Sequence, residues 1–401
     1  MKKMKLVMVG NGMAGVRTLE ELLKISPDLY DITVFGAEPH PNYNRILLSP
    51  VLAGEQTVDE IILNPLDWYA EHGITLHLGK KVTEIDRVKR VVRASDGTEA
   101  EYDRLLVATG SNPFILPVPG KDLQGVIAYR DIADTNTMIE TATKYRHAVV
   151  IGGGLLGLEA ANGLMLRGMQ VTVVHIMPWL MERQLDDVAG KLLQKSLEDR
   201  GLKFLIGAQT EQLIGDKDGR VMAVRFKDGK EIPADLVVMA AGIRPNTELA
   251  EKAGLHCNRG IVVTDTLQTV TDPRIYSVGE CAAHRGIAYG LVAPLFEQAK
   301  VAANHLAQFG IGRYTGSSVS TKLKVTGIDL FSAGNFGGGA GTEEIVMSDP
   351  FAGVYKKLVI QDDKLVGACL YGDTVDGSWY FKLLREGRKI ADIRDKLMFG
   401  E

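Results

Sequence analysis

Two stretches of the chain repeat one pattern of hydrophobic and polar positions. In each, a short apolar run leads into a glycine-rich turn, then into small residues with helical spacing, and then into a second apolar run. The runs at residues 6–9 and 32–35 flank the first turn, and those at 148–151 and 171–174 flank the second. The pattern predicts two strand–helix–strand units, each opening a parallel sheet of its own.

The last part of the chain has a different pattern of apolar runs and turns. From about Tyr314 the sequence alternates short apolar runs with glycine-containing turns, and residues 378–398 form a charged segment with helical spacing. No low-complexity linker separates this part from the rest. We therefore predict a smaller α+β domain with one C-terminal helix there.

The first turn, residues 10–15 (GNGMAG), has the spacing of a dinucleotide-binding loop. Its glycines permit a tight turn, a close approach of a pyrophosphate and the packing of helix on strand. An acid usually ends the second strand and binds the adenosine ribose. Gly36 holds that place, so we predict this role for Glu38, with a surface glutamate as the alternative. The predicted contacts are Gly10, Gly12, Met13, Ala14, Gly15 and Glu38.

The second turn, residues 152–157 (GGGLLG), lies in the same context. His175, not an acid, ends its second strand, and Arg183 follows eight residues later. Arg183 is either a partner for a 2′-phosphate or a surface residue, so the choice between NADH and NADPH stays open. The predicted contacts are Gly152, Gly154, Leu155, Leu156, Gly157, His175 and Arg183.

Composition and charge exclude only a few classes of protein. A length of 401 residues predicts two or three domains. A net charge of −4 without a basic run argues against a nucleic-acid partner, and no apolar stretch is long enough for a membrane span. Residues 1–10 are interpreted as leading into a first strand, not as a signal peptide. Cys257, Cys281 and Cys369 are widely separated, which predicts buried thiols, no metal site and a cytoplasmic setting.

The two turns and three further motifs resemble the pyridine nucleotide-disulphide reductase superfamily over essentially the whole chain. The further motifs are residues 108–110 (ATG), 241–246 (AGIRPN) and 276–282 (YSVGECA). The resemblance implies an α/β fold with two Rossmann-like domains, an FAD domain interrupted by an NAD(P) domain, and a C-terminal α+β domain of the interface type. The implied bounds are 1–112 and 240–313 for FAD, 113–239 for NAD(P) and 314–401 for the last domain.

The resemblance also implies roles for single residues. Glu280 would bind the ribityl chain of the flavin, although aspartate is commoner there, and Arg45 would contact the FAD pyrophosphate. Glu159 matches the position that faces the nicotinamide and is the one implied catalytic residue. Pro50 stands where a lysine is common, so Glu159 would lack its usual cationic partner. The alternative for Arg45 is an arginine on the surface, and the alternative for Glu159 is a glutamate that faces solvent.

Further cofactor contacts come from the same resemblance. A helix beginning near Pro294 would direct the positive end of its dipole at the flavin. The remaining implied contacts are Val82, Ala108, Thr109, Gly110, Gly242, Gly279, Ala293 and Pro294. Residues 42–50 (NYNRILLSP) contain no cysteine, which excludes the thiol chemistry of disulphide reductases and of NADH oxidases and peroxidases.

The closer resemblance is to the FAD/NAD portion of assimilatory NAD(P)H nitrite reductase large subunits. It lies in residues 43–55, 67–74, 171–186, 279–294 and 322–334. It implies hydride transfer from NADH or NADPH to FAD, followed by delivery of single electrons to an iron–sulfur or sirohaem partner. Because this chain has three scattered cysteines, we expect it to supply electrons without itself reducing nitrite.

Other interpretations remain open at this point. The nearest is a rubredoxin or ferredoxin NAD(P)H reductase, which shares the hydride step and differs in the acceptor. A non-enzymatic flavin- and NAD-binding module is the second. The interface-type domain also leaves a homodimer open.

Overall fold

The computed structural model describes residues 3–323 and 327–401. The chain forms two compact units, which are treated separately below. The first unit comprises Met1–Leu47, Val58–Asn112 and Ile243–Ser317, and the second comprises Leu48–Thr57, Pro113–Gly242 and Ser318–Glu401. The division into three domains stays a prediction. Part of the 322–334 motif, residues 324–326, lies outside the described residues.

Helices and strands are numbered in chain order. The helices are α1 (Met13–Ile25), α2 (Leu48–Ala53), α3 (Leu66–Glu71), α4 (Ile132–Lys144), α5 (Leu155–Leu166), α6 (Asp187–Asp199), α7 (Glu248–Lys252), α8 (Val292–Leu306) and α9 (Gly377–Glu386). Short 3₁₀ turns cover Arg45–Leu47, Asp59–Ile61 and Arg394–Phe399.

The strands of the first half are β1 (Met4–Val9), β2 (Tyr30–Phe35), β3 (Thr75–His77), β4 (Val82–Asp86), β5 (Val91–Ala94), β6 (Glu99–Glu101), β7 (Arg104–Val107), β8 (Ser111–Pro113), β9 (Val126–Ala128), β10 (His147–Ile151), β11 (Gln170–His175) and β12 (Lys203–Ile206). Those of the second half are β13 (Thr210–Gly215), β14 (Val221–Phe226), β15 (Glu231–Pro233), β16 (Leu236–Met239), β17 (Ile243–Pro245), β18 (Ile261–Val263), β19 (Ile275–Ser277), β20 (Ala282–His284), β21 (Ser320–Lys322), β22 (Leu330–Gly334), β23 (Glu343–Asp349), β24 (Val354–Gln361) and β25 (Lys364–Tyr371).

A parallel sheet of strand order β19-β7-β1-β2-β3 forms the centre of the first unit. Val9 at the end of β1 pairs with Phe35 of β2 and Val107 of β7, which aligns the carboxyl ends of these strands. The middle of β1 is buried, as expected for a strand covered on both faces. The first predicted strand–helix–strand unit is therefore confirmed as β1–α1–β2.

The second unit contains a parallel sheet of the same design, with strand order β12-β11-β10-β16-β9. Ile151 at the end of β10 pairs with Val174 of β11 and Met239 of β16. The second predicted unit is confirmed as β10–α5–β11. In both sheets the first strand of the unit lies between its partner strand and a returning strand, so the glycine turn begins at the same edge.

The C-terminal part of the second unit is an antiparallel sheet of order β21-β22-β25-β24-β23, with α9 packed on it. The predicted α/β fold class with a C-terminal α+β domain is thus confirmed. The single helix predicted over residues 378–398 is wrong. Gly387 adopts a left-handed conformation (φ +58°), and its N–H donates to the Leu383 carbonyl, which ends α9 at Glu386.

None of the helices in the described part of the chain has both the length and the apolar character that a bilayer crossing requires. The cytoplasmic setting stays a prediction.

Candidate functional site

The two glycine turns are built alike, one in each unit. Gly10 has φ +101° and Gly152 has φ +124°, which favours glycine at both positions. A Cβ on Gly10 would lie 2.1 Å from the Ala108 carbonyl oxygen, and one on Gly152 would lie 2.2 Å from that of Ala240. Each turn therefore passes directly against the backbone at the end of the neighbouring strand. A side chain at either position would push the turn away from the sheet.

The helices that follow these turns begin at glycine N-caps. Gly12 precedes α1 and Gly154 precedes α5, and neither first turn contains an acidic residue. In contrast, α4 and α6 are capped by the Asp131 and Asp186 carboxylates, which accept hydrogen bonds from backbone N–H groups. A Cβ on Gly12 or Gly154 would meet nothing within 4 Å. The starts of α1 and α5 thus combine open space, N–H donors and a positive dipole end, which fits a dinucleotide pyrophosphate.

The residues predicted as contacts in these first turns lie directly after the glycine N-caps, and their contacts with a cofactor stay predictions. These residues are Met13, Ala14 and Gly15 in α1, and Leu155, Leu156 and Gly157 in α5. A Cβ on Gly157 would lie 2.0 Å from the Gly152 carbonyl oxygen, so the third glycine of the motif is required by close packing.

Glu38 and Arg45 lie together beyond the end of β2. Glu38 Oε1 accepts a hydrogen bond from Arg45 Nη2 at 2.5 Å, and its Oε2 accepts one from the Tyr43 hydroxyl at 2.7 Å. The Arg45 guanidinium also lies over the Tyr43 ring at 5.0 Å from its centre. Both charged side chains are less than one-third exposed, which differs from the fully exposed surface residues that the alternatives describe. The sequence indicated the two residues separately but not their ion pair, and their ribose and pyrophosphate roles stay proposals.

The Glu280 motif is tied to its surroundings by side-chain hydrogen bonds within the first unit. Ser111 Oγ donates to Glu280 Oε2 at 2.5 Å. The N–H of Gly279 donates to Oε1 of Gln298, a fully buried residue of α8, at 2.9 Å. Gln298 thereby connects α8 to the turn that carries Glu280. Nothing in the sequence marked Ser111 or Gln298, because each contacts a partner that is remote in sequence, 169 and 19 residues away.

The start of α8 agrees with the helix predicted near Pro294, and the 108–110 motif is hydrogen-bonded to Asn246. Ala293 and Pro294 lie in the first turn of α8, after the N-cap residue Leu291. Thr109 Oγ1 donates to the Asn246 carbonyl oxygen at 2.8 Å, and the Asn246 N–H donates to the Gly110 carbonyl oxygen at 2.9 Å. These bonds connect the 108–110 motif to the 241–246 motif.

Val82 and Gly242 have less distinctive settings. Val82 begins β4, and its side chain packs in an apolar cluster with Ile85 and Val92. Gly242 has φ +119°, and its carbonyl oxygen accepts a hydrogen bond from the Phe114 N–H at 2.8 Å. Cofactor contacts from either residue stay predictions.

Glu159 does not face solvent. This α5 residue is 7% exposed, and its Oε2 accepts a hydrogen bond from Ser49 Oγ at 2.7 Å. The Ser49 hydroxyl also lies 3.3 Å from that of Tyr129. Burial raises the pKa of Tyr129, so its hydroxyl stays protonated. The alternative of a solvent-facing glutamate is therefore wrong, whereas the nicotinamide-facing role of Glu159 stays a prediction. The sequence did not indicate Ser49 and Tyr129 as its neighbours.

The packing of α2 on α5 brings Ser49 to Glu159. A Cβ on Gly163 of α5 would lie 2.6 Å from Leu52 Cγ, which shows how closely the helices approach. Arg167 Nε donates to the Leu52 carbonyl at 2.8 Å, and its Nη2 donates to that of Val51 at 3.1 Å. Arg167 thus satisfies carbonyl groups at the end of α2 and fixes this helix on α5.

His175 and Arg183 have different surroundings. Nδ1 of His175 accepts a hydrogen bond from the Gly153 N–H, and its Nε2 lies 3.0 Å from Oε2 of Glu182. The side chain of Arg183 is 85% exposed. Both ring nitrogens of His175 are therefore engaged within the chain, and Glu182 is a further residue that sequence reasoning missed.

The cysteines are free thiols. Cys281 and Cys369 are buried, as predicted, whereas Cys257 is only partly buried. Burial raises the pKa of Cys257 to about 11 and that of Cys369 to about 12, so both thiols stay protonated. Within residues 3–323 and 327–401, no group of three His, Cys, Asp or Glu side chains is arranged to hold a metal ion.

The matched glycine turns and parallel sheets define an α/β protein with two dinucleotide-binding folds. The family model described as pyridine nucleotide-disulphide oxidoreductase matches residues 4–305. The chain belongs to this family. It is therefore an oxidoreductase, with FAD as cofactor and NAD(P)H as the nucleotide of the family. A second model, the rubredoxin NAD+ reductase C-terminal domain, matches residues 320–388.

Individual relatives agree with the resemblance seen in the sequence. The chain is 53% identical to nitrite reductase [NAD(P)H] of Bacillus subtilis (strain 168), over 98% of this chain and 48% of that protein. It is 48% identical to the assimilatory nitrate reductase electron transfer subunit of the same organism, over 100% of this chain and 52% of that protein. The chain thus spans about half the length of these relatives.

Among solved structures, a chain of the covalent putidaredoxin reductase–putidaredoxin complex matches with a TM-score of 0.86 and 28% identity. The match covers 96% of this chain and 93% of that one. The two chains therefore share one fold.

Proposed function

We propose that the chain is the reductase part of an assimilatory nitrite reductase. In this function a hydride passes from NAD(P)H to FAD, and single electrons then pass to an iron–sulfur or sirohaem partner. The observation that carries the proposal is the pair of matched helix starts after Gly12 and Gly154, one in each unit. Two separate pyrophosphate sites in one chain suit a protein that holds two dinucleotides together.

Bound FAD supplies the chemistry that accepts a hydride and releases electrons one at a time. The residues of the chain bind the two dinucleotides and orient them. The starts of α1 and α5 hold the two pyrophosphates, and Glu38 holds the adenosine ribose of FAD. Glu280, fixed by Ser111, accepts hydrogen bonds from ribityl hydroxyls. The first turn of α8, with Pro294, offers its positive dipole end to the flavin.

Glu159 is the residue proposed to face the nicotinamide. Its carboxylate has one oxygen fixed by the Ser49 hydroxyl, and both residues are less than one-tenth exposed. A fixed, buried acceptor suits the placement of a carboxamide or ring against a reaction partner, since orientation contributes much of the rate in hydride transfer.

The proposed acceptor follows from the names of the relatives. Both Bacillus subtilis proteins belong to nitrite or nitrate reduction, and one is called an electron transfer subunit. Rubredoxin or ferredoxin NAD(P)H reductase is the second candidate. The C-terminal domain model and the putidaredoxin reductase match favour this candidate, because both relatives are named for small protein partners. The non-enzymatic alternative does not fit an oxidoreductase family.

Electron delivery to separately purified partners tests the proposal. FAD-loaded protein is mixed with NADH and either a sirohaem nitrite reductase component plus nitrite, a ferredoxin or a rubredoxin. We expect nitrite consumption that requires NADH, this chain and the sirohaem component together. Faster turnover with rubredoxin or ferredoxin would support the second candidate. NADH oxidation at one rate with and without every partner would contradict both.

A further inference from the structure

The loop between β11 and α6, residues 176–186, is fixed on the second glycine turn. Leu180, Met181 and Leu185 anchor it, since each is at most 1% exposed. The Met181 N–H donates to the Gly153 carbonyl oxygen at 3.0 Å. Met181 also has φ +52°, a conformation that directs the chain back toward the turn. The next residue, Glu182, therefore has a fixed backbone position beside the turn.

His175 fixes the side chain of Glu182. The Gly153 N–H donates to His175 Nδ1 at 3.0 Å, so this nitrogen carries a lone pair and the ring proton is on Nε2. Nε2 then donates to Glu182 Oε2 at 3.0 Å. A Cβ on Gly153 would lie 2.7 Å from His175 Cγ, so the ring packs closely against the glycine turn. The imidazole acts as a spacer between the end of β11 and a carboxylate.

The second oxygen of Glu182 remains within reach of a ligand. The Glu182 side chain is 20% exposed, and Arg183 Nε, the closest cationic group among the described residues, lies 4.0 Å from Oε1, beyond hydrogen-bond distance. Arg183 itself extends into solvent. The fixed charge beside the end of β11 is therefore a carboxylate and not a guanidinium.

The residues directly after β11 offer an apolar surface. Ile176 is 59% exposed and Met177 is 41% exposed, whereas Leu180, Met181 and Leu185 of the same loop are buried. A flat adenine base would cover such side chains. This surface and Glu182 belong to the same short loop, next to the turn proposed to hold a pyrophosphate.

We propose that Glu182, positioned by His175, binds the adenosine ribose hydroxyls of the nicotinamide dinucleotide and makes the chain prefer NADH to NADPH. The inference rests on the proposed function, since it places NAD(P)H at the second turn. A ribose 2′-hydroxyl donates a hydrogen bond to a carboxylate. A 2′-phosphate has no such proton and brings negative charge against Glu182. The acid missing at the end of β11 is thus supplied by the loop.

Calorimetric titration of NAD+ and NADP+ into the FAD-loaded protein tests this inference without turnover. We expect wild type to bind NAD+ about tenfold or more tightly than NADP+, as a hydrogen bond to a charged group allows. Glu182→Gln keeps an acceptor for His175 Nε2 but removes the charge. It should reduce the ratio of the two affinities by about tenfold. Glu211→Gln, at an exposed residue of β13, is the matched control and should leave the ratio unchanged.

A second set of variants separates Glu182 from its neighbours. Arg183→Gln should leave the affinity ratio unchanged. His175→Gln should shift the ratio in the same direction as Glu182→Gln, and the double variant should shift it no further, because the two residues act as one unit. A loss of folding alone would lower both affinities together and would not produce this non-additive change.

Three outcomes would overturn the inference: a wild type that prefers NADP+, a ratio unchanged in Glu182→Gln, or a ratio that depends on Arg183. Anaerobic mixing of wild type with NADH and NADPH distinguishes these from failure of the proposed function. If neither nucleotide bleaches the flavin, the proposed function fails. If NADPH bleaches it more efficiently than NADH, the proposed function stands and the role of Glu182 is wrong.

Discussion

Ser49, Tyr129 and Glu159 form a buried hydrogen-bonded group from three distant parts of the sequence. Ser49 and Glu159 are 110 residues apart in sequence, yet their side chains are 2.7 Å apart. A buried carboxylate requires hydrogen-bond donors, and the Ser49 hydroxyl supplies one of them. The position of the carboxylate therefore depends on the packing of α2 against α5.

Replacement of Ser49 by alanine tests this dependence. Ser49→Ala removes the donor and should lower the free energy of unfolding by about 1.5–3 kcal/mol, the usual range for a bond to a charged group. The rate of flavin reduction by NADH should fall by about tenfold or more, because a loosely held carboxylate orients the nicotinamide poorly. Chemical denaturation and stopped-flow absorbance measure the two effects.

A double-mutant cycle provides the control. In a Glu159→Gln background the charge is absent, so Ser49→Ala should cost less stability than in wild type. Equal costs in both backgrounds, or a Ser49→Ala protein with wild-type stability and rate, would show that the bond does not position Glu159.

Single residues also show which contacts could not be predicted from the sequence. Glu159 and Pro50 stood out through family resemblance, but nothing in the sequence marked Ser49 as the partner. The sequence likewise showed that His175 replaces an expected acid. It did not reveal that Glu182 returns to the same place, because that return depends on the conformation of Met181 and its bond to Gly153.

At the scale of elements, the starts of α1 and α5 differ from those of α4 and α6 in one respect. Asp131 and Asp186 satisfy N–H groups at the starts of α4 and α6, whereas glycines precede α1 and α5. The difference suits helices whose first turns receive an anion from outside the chain. This feature was readable from the sequence, because glycine spacing and apolar runs are local.

Aspartate at the glycine caps should abolish binding selectively. Gly12 (φ −90°) and Gly154 (φ −85°) have extended backbones with open space at Cβ, and aspartate is a favoured N-cap, so the fold should survive. Its carboxylate would occupy the N–H groups and repel a pyrophosphate. Gly12→Asp should lose FAD, and Gly154→Asp should keep FAD but lose NAD+ binding.

Flavin absorbance of the purified variants and calorimetric titration with NAD+ measure these outcomes. Circular dichroism melts serve as the control for folding. Loss of FAD from Gly154→Asp, with an intact melt, would contradict the assignment of FAD to the first turn and NAD(P) to the second.

Other elements depended on tertiary structure that the sequence does not show. The Tyr355 hydroxyl of β24 donates to Asp186 Oδ2 at 2.6 Å, and Lys357 Nζ lies 3.8 Å from the same atom. The C-terminal sheet thus holds the start of α6, directly after the loop that carries Glu182. The predicted C-terminal helix was too long, since charged residues continue the helical spacing past the left-handed Gly387.

At the scale of the whole molecule, we propose that one chain binds two dinucleotides and transfers a hydride from one to the other. Family membership supplies the oxidoreductase class, FAD and NAD(P)H. The delivery of electrons to an iron–sulfur or sirohaem partner belongs to the proposal.

Anaerobic stopped-flow mixing of the FAD-loaded protein with NADH tests this claim most directly. We expect loss of the yellow flavin absorbance in a phase whose rate saturates with NADH concentration, as is usual when binding precedes transfer. A protein that retains FAD, binds NADH and leaves the flavin absorbance unchanged would contradict the account.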